Sequence, residues 1–350
     1  MEYVVSLRTA QNDVKAVLNL EVERKARVAP LMNVRGDDDK QVVAFLDNWG
    51  NFPFLLDVSR FSPDQHDELI VSGGLHSPAS GYQAKRDFYD WARGRNASIV
   101  PVVSWATGDS TREIVQCAVQ LERSYDTVAV VVDMSAGKAE TEKVTRILDA
   151  VENPAKLLII LNIGVKSPPD LSPNGELFTT ITQIRTYGIT RAALLSTAFP
   201  SDKPPSGTSR IVTCLDILWQ KAAQTILDNF ELIYGDFGAT NPTSPLEYIP
   251  GMPVIPFANI LIDSGWNQFR DGKDKEFFVY PNIADAIRAL PGYQGDSFCW
   301  ATREIGRIAS RVDAKYGNNG TWNGYKINQH ICAILSELGA TMHGSLEDTE

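Results

Sequence analysis

The sequence predicts a (β/α)8 barrel followed by a C-terminal α+β appendage. Three observations carry that prediction: eight short apolar runs recur over the first 237 residues, amphipathic stretches separate them, and the connections are lopsided in length. The 350 residues leave room for a barrel of the usual ~250 residues and an extension. The division is expected as barrel over 1–249 and extension over 250–350.

The runs are YVVSL (3–7), RVAPLMNV (27–34), FPFLLDV (52–58), SIVPVVSW (98–105), TVAVVVDM (127–134), KLLIILNI (156–163), RAALLST (191–197) and ELIYGDF (231–237). Most are apolar at consecutive positions. That is the pattern of parallel strands covered on both faces, whereas half-wet strands alternate. Between them, STREIVQCAVQLERS (110–124) has a Ser/Thr start, an early acid and apolar residues at helical spacing. KAETEKVTRILDAVEN (138–153) and SRIVTCLDILWQKAAQTILDN (209–229) read as helical in the same way. The eighth crossover is the least distinct.

Helix-to-strand links are short, as in RNA (95–97), SYD (124–126), NPA (153–155) and GIT (188–190). Strand-to-helix links are long and rich in proline and glycine, as over 60–81, 164–175, 199–207 and 238–256. In a barrel all of the latter emerge at the C-terminal mouth, where active sites are built. Beyond residue 250 the rhythm stops. ANILIDSGWNQFRDGKDKEFFVY (258–280) reads as two strands around a turn, and 282–290, 299–314 and 327–338 read as helices of an appendage beside or across the mouth.

Composition narrows the function classes. A hydrophobic content of 43% supports a sizeable core, and a net charge of −10 argues against nucleic acid as a partner. No apolar run approaches the ~20 residues of a membrane helix, and Met1 is followed by the acidic EYVVSL rather than a signal region. The four cysteines form no Cys-x-x-Cys pair and read as reduced core thiols. A cytoplasmic protein without a membrane partner is expected. The sequence has no phosphate-binding glycine loop, nucleophile elbow or paired-histidine zinc motif, so no cofactor is assigned. YGDFG (234–238) contains the magnesium-holding tripeptide of protein kinases, but the rest of the kinase signature is missing. The tripeptide instead closes the eighth run.

The runs end in polar residues: Arg8, Asn33 with Arg35, Asp57, Ser104, Asp133, Asn162, Thr197 and Asp236. A carboxylate at the end of a strand buried on both faces is least costly when it points into a wet mouth. Asp57, Asp133, Asn162 and Asp236 are therefore expected to converge there, with Asp57, Asp133 and Asp236 as acid–base candidates. Arg8, Arg35 and Arg60 flank the same rim, and guanidinium forks suit a phosphate or carboxylate. The spacing supports no metal site. Helix capping and ion pairs that tie the rim together are the alternative account of these residues. His330, the polar residue of INQHICAIL, reads either as a satisfied core histidine or as a catalytic one. Trp266, Trp300 and Trp322 read either as core or as stacking groups for a ligand.

RVAPLMNV, FPFLLDVS, LLIILNIG, LLSTAFP, YGDFGATNP, ILIDSGWNQFRDGK, SFCW and TWNGYKINQH, taken in order, resemble the beta protein family, named after a protein of a T-even coliphage. The resemblance spans nearly the whole chain. It implies a setting in phages, prophages and bacterial defence regions, with a phage or host defence protein as a possible partner, rather than a chemistry. Asp57, the segment from Thr197 through Phe199 to Pro200, and Asp236 match the family pattern, as do Trp322, Asn328 and His330. Asn33 and Asn162 stand where acids are common in the family, which leaves open an altered substrate or a barrel kept for binding. Thr197, Phe199, Trp300 and Asn328 join the ligand-binding candidates. Two functions are expected from this reading: a hydrolase or lyase acting on an anionic ligand, or a non-catalytic sensor in phage–host conflict.

Overall fold

The structure, a computed structural model, describes residues 1–60, 64–165, 175–243, 254–273 and 276–347, with side chains to residue 339. The first seven apolar runs form β1 (Tyr3–Arg8), β2 (Val28–Val34), β3 (Phe54–Val58), β4 (Ile99–Val103), β5 (Val128–Asp133), β6 (Leu157–Gly164) and β7 (Arg191–Ser196). β8 (Ser209–Thr213) leaves the barrel, and the eighth run is β9 (Glu231–Asp236). All eight barrel strands are parallel, in the closed order β1-β2-β3-β4-β5-β6-β7-β9, with Tyr3 of β1 opposite Tyr234 of β9. Helices lie between the strands, so the fold is a TIM-like α/β barrel.

The strand period of two divides each run between two cores. Val4, Leu31, Leu55, Val102, Ile160 and Ile233 are among the residues that fill the barrel interior. Their neighbours Tyr3, Met32, Leu56, Val103, Ile159 and Tyr234 pack outward in the larger core with the helices. Two-sided burial is what makes the runs apolar without alternation.

Gly235 occupies an inward slot where β9 passes between β7 and β1. A Cβ there would lie 2.9 Å from the Leu194 carbonyl oxygen and 3.2 Å from that of Val4. Both obstacles are backbone atoms, so the ladder itself would have to shift. Gly235→Ala is expected to lower stability by about 1–3 kcal/mol in a denaturant titration.

The helical reading of 209–229 is corrected. Residues 209–213 are β8, and the helix runs only over Asp216–Thr225. β8 pairs antiparallel with β11 (Gly265–Arg270), and β11 pairs with β10 (Phe257–Ile262), giving a three-stranded sheet in the order β10-β11-β8. The β-branched Ile211, Val212 and Thr213 favour an extended chain once that partner exists. The β10–β11 hairpin turns through Asp263 and Ser264, both at positive φ (46° and 59°), as a tight two-residue turn demands.

The C-terminal helix (Asn319–Glu347) packs on β10 and on the helix Gln11–Leu18. Asn328 ties three helices together: its amide donates to the Ala16 carbonyl (2.9 Å) and its oxygen accepts from the Ala301 amide (3.1 Å). The appendage thus grips the barrel at the closure between its first and last strands. All four cysteines are free and buried. Among the described residues no helix is long and apolar enough to cross a membrane.

Candidate functional site

Beyond the last apolar layer, the inward-facing positions turn polar. Ser6 follows Val4, Asn33 follows Leu31, Asp57 follows Leu55, Ser104 follows Val102, Asp133 follows Val131 and Asn162 follows Ile160. All six line one cavity of about 400 Å³ at the C-terminal mouth, closed on one side by Leu195 and Phe237.

Asp57 anchors this ring. One carboxylate oxygen, Oδ1, accepts from Lys85 Nζ (2.6 Å), Ser104 Oγ (2.7 Å) and the Val58 amide (2.7 Å). Lys85 comes from the helix Ala79–Arg95 outside the barrel, is 1% exposed, and also donates to Ser104 Oγ (2.8 Å). Burial pushes its ammonium below the usual lysine range, against the attraction of Asp57. Ser104 thus lies between an ammonium that donates to its oxygen and a carboxylate that accepts its proton.

Arg60 lines the same cavity. Its Nη2 donates to the Ser104 carbonyl (3.2 Å) and its Nε lies 3.5 Å from Ser104 Oγ. No acid pairs with it among the described residues. Asp133 is exposed and accepts from the Ser135 amide (2.9 Å) and hydroxyl (2.7 Å). Glu140, from the helix Lys138–Ala150, accepts from Trp105 Nε1 (3.0 Å) and Lys143 Nζ (2.6 Å). Burial opposes ionisation of Glu140, but the hydrogen bonds from Lys143, Gly108 and Trp105 hold it below the usual carboxylate range. Asn33 donates to the Leu7 carbonyl (2.9 Å) and Ser6 Oγ (3.0 Å). A carboxylate has no proton to offer that carbonyl, so the amide at this position suits its surroundings.

The expected ring of three arginines is corrected. Arg8 and Arg35 stand on the rim but do not line the mouth cavity itself; Arg8 lines a small adjoining pocket with Ser6, Asn33 and Phe237, and buried Asp64 and its neighbour Asp67 hold both arginines. Arg8 Nε lies 2.7 Å from Asp64 Oδ2, Arg35 Nη1 lies 3.1 Å from Asp64 Oδ1, and Arg35 Nε lies 3.5 Å from Asp67. Both arginines line a second cavity, between the rim and the appendage, together with Phe199 and Trp322.

The expected convergence of Asp236 is corrected as well. Ile233, Gly235 and Phe237 take the inward slots of β9, so Asp236 points outward to the C-terminal helix. There its carboxylate accepts from Tyr3 Oη (2.5 Å), Tyr234 Oη (3.0 Å), the Gly238 amide (2.8 Å) and His330 Nε2 (2.7 Å). His330 is fully buried and stacks on Trp266 with ring centroids 5.9 Å apart.

The remaining candidates also lie away from the mouth cavity. The Thr197 hydroxyl oxygen accepts from the Phe199 amide (3.1 Å), which fixes a turn. Phe199 meets Trp266 edge to face at 5.0 Å. Trp300 packs edge to face on Tyr325 at 5.1 Å, with Lys15 Nζ 5.5 Å from its ring. Among the described residues, no described side chain from beyond residue 250 lines the mouth. The Beta protein family profile matches residues 3–336 of the chain, nearly its whole length. The chain belongs to the Beta protein family. No curated protein matches it.

In this Beta protein family member, the mouth gathers the inward-facing polar residues and the outward network holds the appendage. No group of His, Cys, Asp and Glu suited to a metal ion occurs among the described residues. Sequence reasoning missed Lys85 and Asp64. Lys85 did leave a signal: Lys85, Tyr89 and Ala92 form one buried stripe of their helix, and a lysine in such a stripe needs a buried partner. Asp64 lies in a short 3-10 turn within a polar loop and leaves no comparable pattern.

Proposed function

We propose that the barrel mouth binds a small polar ligand whose phosphate or carboxylate faces Arg60. One observation carries this reading: a guanidinium without an ion-pair partner among the described residues opens onto a cavity of about 400 Å³ ringed by Asn33, Asp57, Ser104, Asp133 and Asn162. Small-molecule sites commonly span ~300–1,000 Å³ and carry a few convergent polar groups over apolar walls. The ring lies over such walls, and Asp57, Ser104 and Lys85 fix one another's orientation. The family resemblance adds the setting, conflict between phages and bacteria, in which the protein acts as a ligand sensor.

Arg60→Ala is expected to weaken binding of an anionic ligand by about 10–100-fold, the range of a charge-assisted hydrogen bond. Its effect on stability should stay within about 0.5 kcal/mol, because no ion pair is broken. Native mass spectrometry against a library of phosphorylated and carboxylated metabolites checks this. Unchanged affinity in the variant, or no binder at all, overturns the reading.

A second reading is catalytic, and the Ser104 contacts favour it. Ser104 Oγ would attack the acyl or phosphoryl centre of a bound ester while its proton passes to Asp57; Asp57 returns that proton to the departing alkoxide, and water then hydrolyses the ester formed on Ser104. Ser104→Ala separates the two readings. Ligand binding survives it on both, whereas turnover of a bound ester is lost only on the second.

A further inference from the structure

The cavity between the barrel rim and the appendage adjoins the mouth through a small pocket that Arg8, Asp13 and Thr240 share with Ser6, Asn33 and Phe237. Its volume is about 510 Å³, and no residue lines both. One wall belongs to the barrel rim and carries Arg8 and Arg35; the other belongs to β10, β11 and the C-terminal helix.

Its chemistry is unusual for a structural seam. Lys326, on the C-terminal helix, is 8% exposed and makes no hydrogen bond or ion pair among the described residues. Its Nζ lies 4.9 Å from the centroid of the Phe199 ring. Lys203 faces the same space from the loop after β7, also without an ion pair among the described residues, with Nζ 5.5 Å from the Phe257 ring. Asn259 and Gln268 are opposite one another on β10 and β11. Both are buried, and Asn259 Oδ1 and Gln268 Nε2 have no partner among the described residues. A buried ammonium, a buried amide donor and a buried amide acceptor are each costly when left unpaired. Lys326, Asn259 and Gln268 all line this one volume, and of their unpaired groups the Lys326 ammonium is the one that opens onto it, the two amide atoms being sealed behind the wall.

We infer that this seam is a second binding site, for a phosphate-bearing small molecule whose dianion lies between Lys326 and Lys203. The lysines decide the class. Ammonium groups act as point charges and suit tetrahedral phosphate oxygens, whereas a planar carboxylate is matched best by a guanidinium fork. The forks at this seam, Arg8 and Arg35, are already engaged by Asp64 and Asp67. Burial pushes Lys326 down to about 8; Asp13 across the cavity opposes that shift, and Lys203 adds to it. A bound dianion reverses the balance, so binding near pH 8 takes up a proton.

Calorimetric titration at pH 8, in two buffers of different ionisation enthalpy, tests the site with inorganic phosphate and adenosine monophosphate as probes and acetate as control. At least one phosphate probe should bind with proton uptake. Lys326→Met and Lys203→Ala should each weaken it more than tenfold, and Lys326→Met should abolish the uptake. Arg60→Ala, at the mouth, should leave it within twofold. Without ligand, Lys326→Met should melt no lower than wild type, because it removes an unpaired buried charge. The inference is overturned if neither phosphate probe binds, if acetate binds as well as they do, if Lys326→Met binds normally or melts lower, or if Arg60→Ala abolishes binding. That last result would move the anion to the mouth and leave the reading of the mouth standing.

Discussion

Replacing Lys85 with methionine is expected to lower the unfolding free energy by about 3–5 kcal/mol, the usual cost of breaking a buried ion pair from one side. Methionine fits the volume, so the loss comes from charge. Asp57 would keep its bonds from Ser104 and Val58 but lose the ammonium 2.6 Å away, in a site where neither partner is more than 7% exposed. The double variant Asp57→Asn/Lys85→Met removes both charges and should lose clearly less than the sum of the single changes. Urea titrations of the four proteins close the cycle. A cost below about 1 kcal/mol for Lys85→Met would show that the pair is effectively solvated, because exposed pairs contribute no more than that.

Asp236→Ala is expected to cost at least about 3 kcal/mol, since each orphaned buried donor costs roughly 1–3 kcal/mol. Four donors converge on that carboxylate: two tyrosine hydroxyls, the Gly238 amide and His330 Nε2. The same network sets a pH dependence. Burial pushes the Asp236 carboxyl up, but the attraction and hydrogen bond of His330, with those of Tyr3 and Gly238, outweigh it and hold it below the usual value. A carboxyl lowered by folding contributes stability that is fully present above the unfolded value, near 4, and is lost as pH falls through the folded value. Wild-type protein should therefore weaken on acidification below about pH 4, and Asp236→Asn should lose that part of the slope. Denaturant titrations from about pH 2 to 6 measure it. Ligand binding at the mouth should survive Asp236→Asn, because the side chain faces away from the barrel axis. Loss of binding with the fold intact would place Asp236 back in the site.

The barrel was legible because burial on both faces leaves a continuous apolar word at each strand. The mouth residues were legible where an apolar inward neighbour marked the register, as Leu55 does for Asp57 and Val102 for Ser104. Register failed at Asp236. The inward slot before Phe237 holds Gly235, which has no side chain to show which face is inside. β8 was illegible for another reason: its partner β11 begins at Gly265, so nothing local distinguishes SRIVT from the opening of the helix that follows. Trp300 and Asn328 look like ligand groups in the sequence, yet their contacts hold helices together. Positions that fix an appendage and positions that grip a ligand look alike in one dimension.

The excursion of β8 also has a bearing on the order in which the chain is made. The ribosome delivers β8 after seven barrel strands, and at that moment it has nothing to pair with. The strand that completes the ring, β9, is made next, and β1 is its partner. Only afterwards do β11 and then the C-terminal helix arrive to cover β8 and deliver His330 to Asp236. A barrel that closed before those elements emerged would expose a bare strand, and Asp236 without its histidine partner, until they docked. In the finished molecule the C-terminal helix is the latch, fastened to the closing strand of the ring through His330 and Asp236.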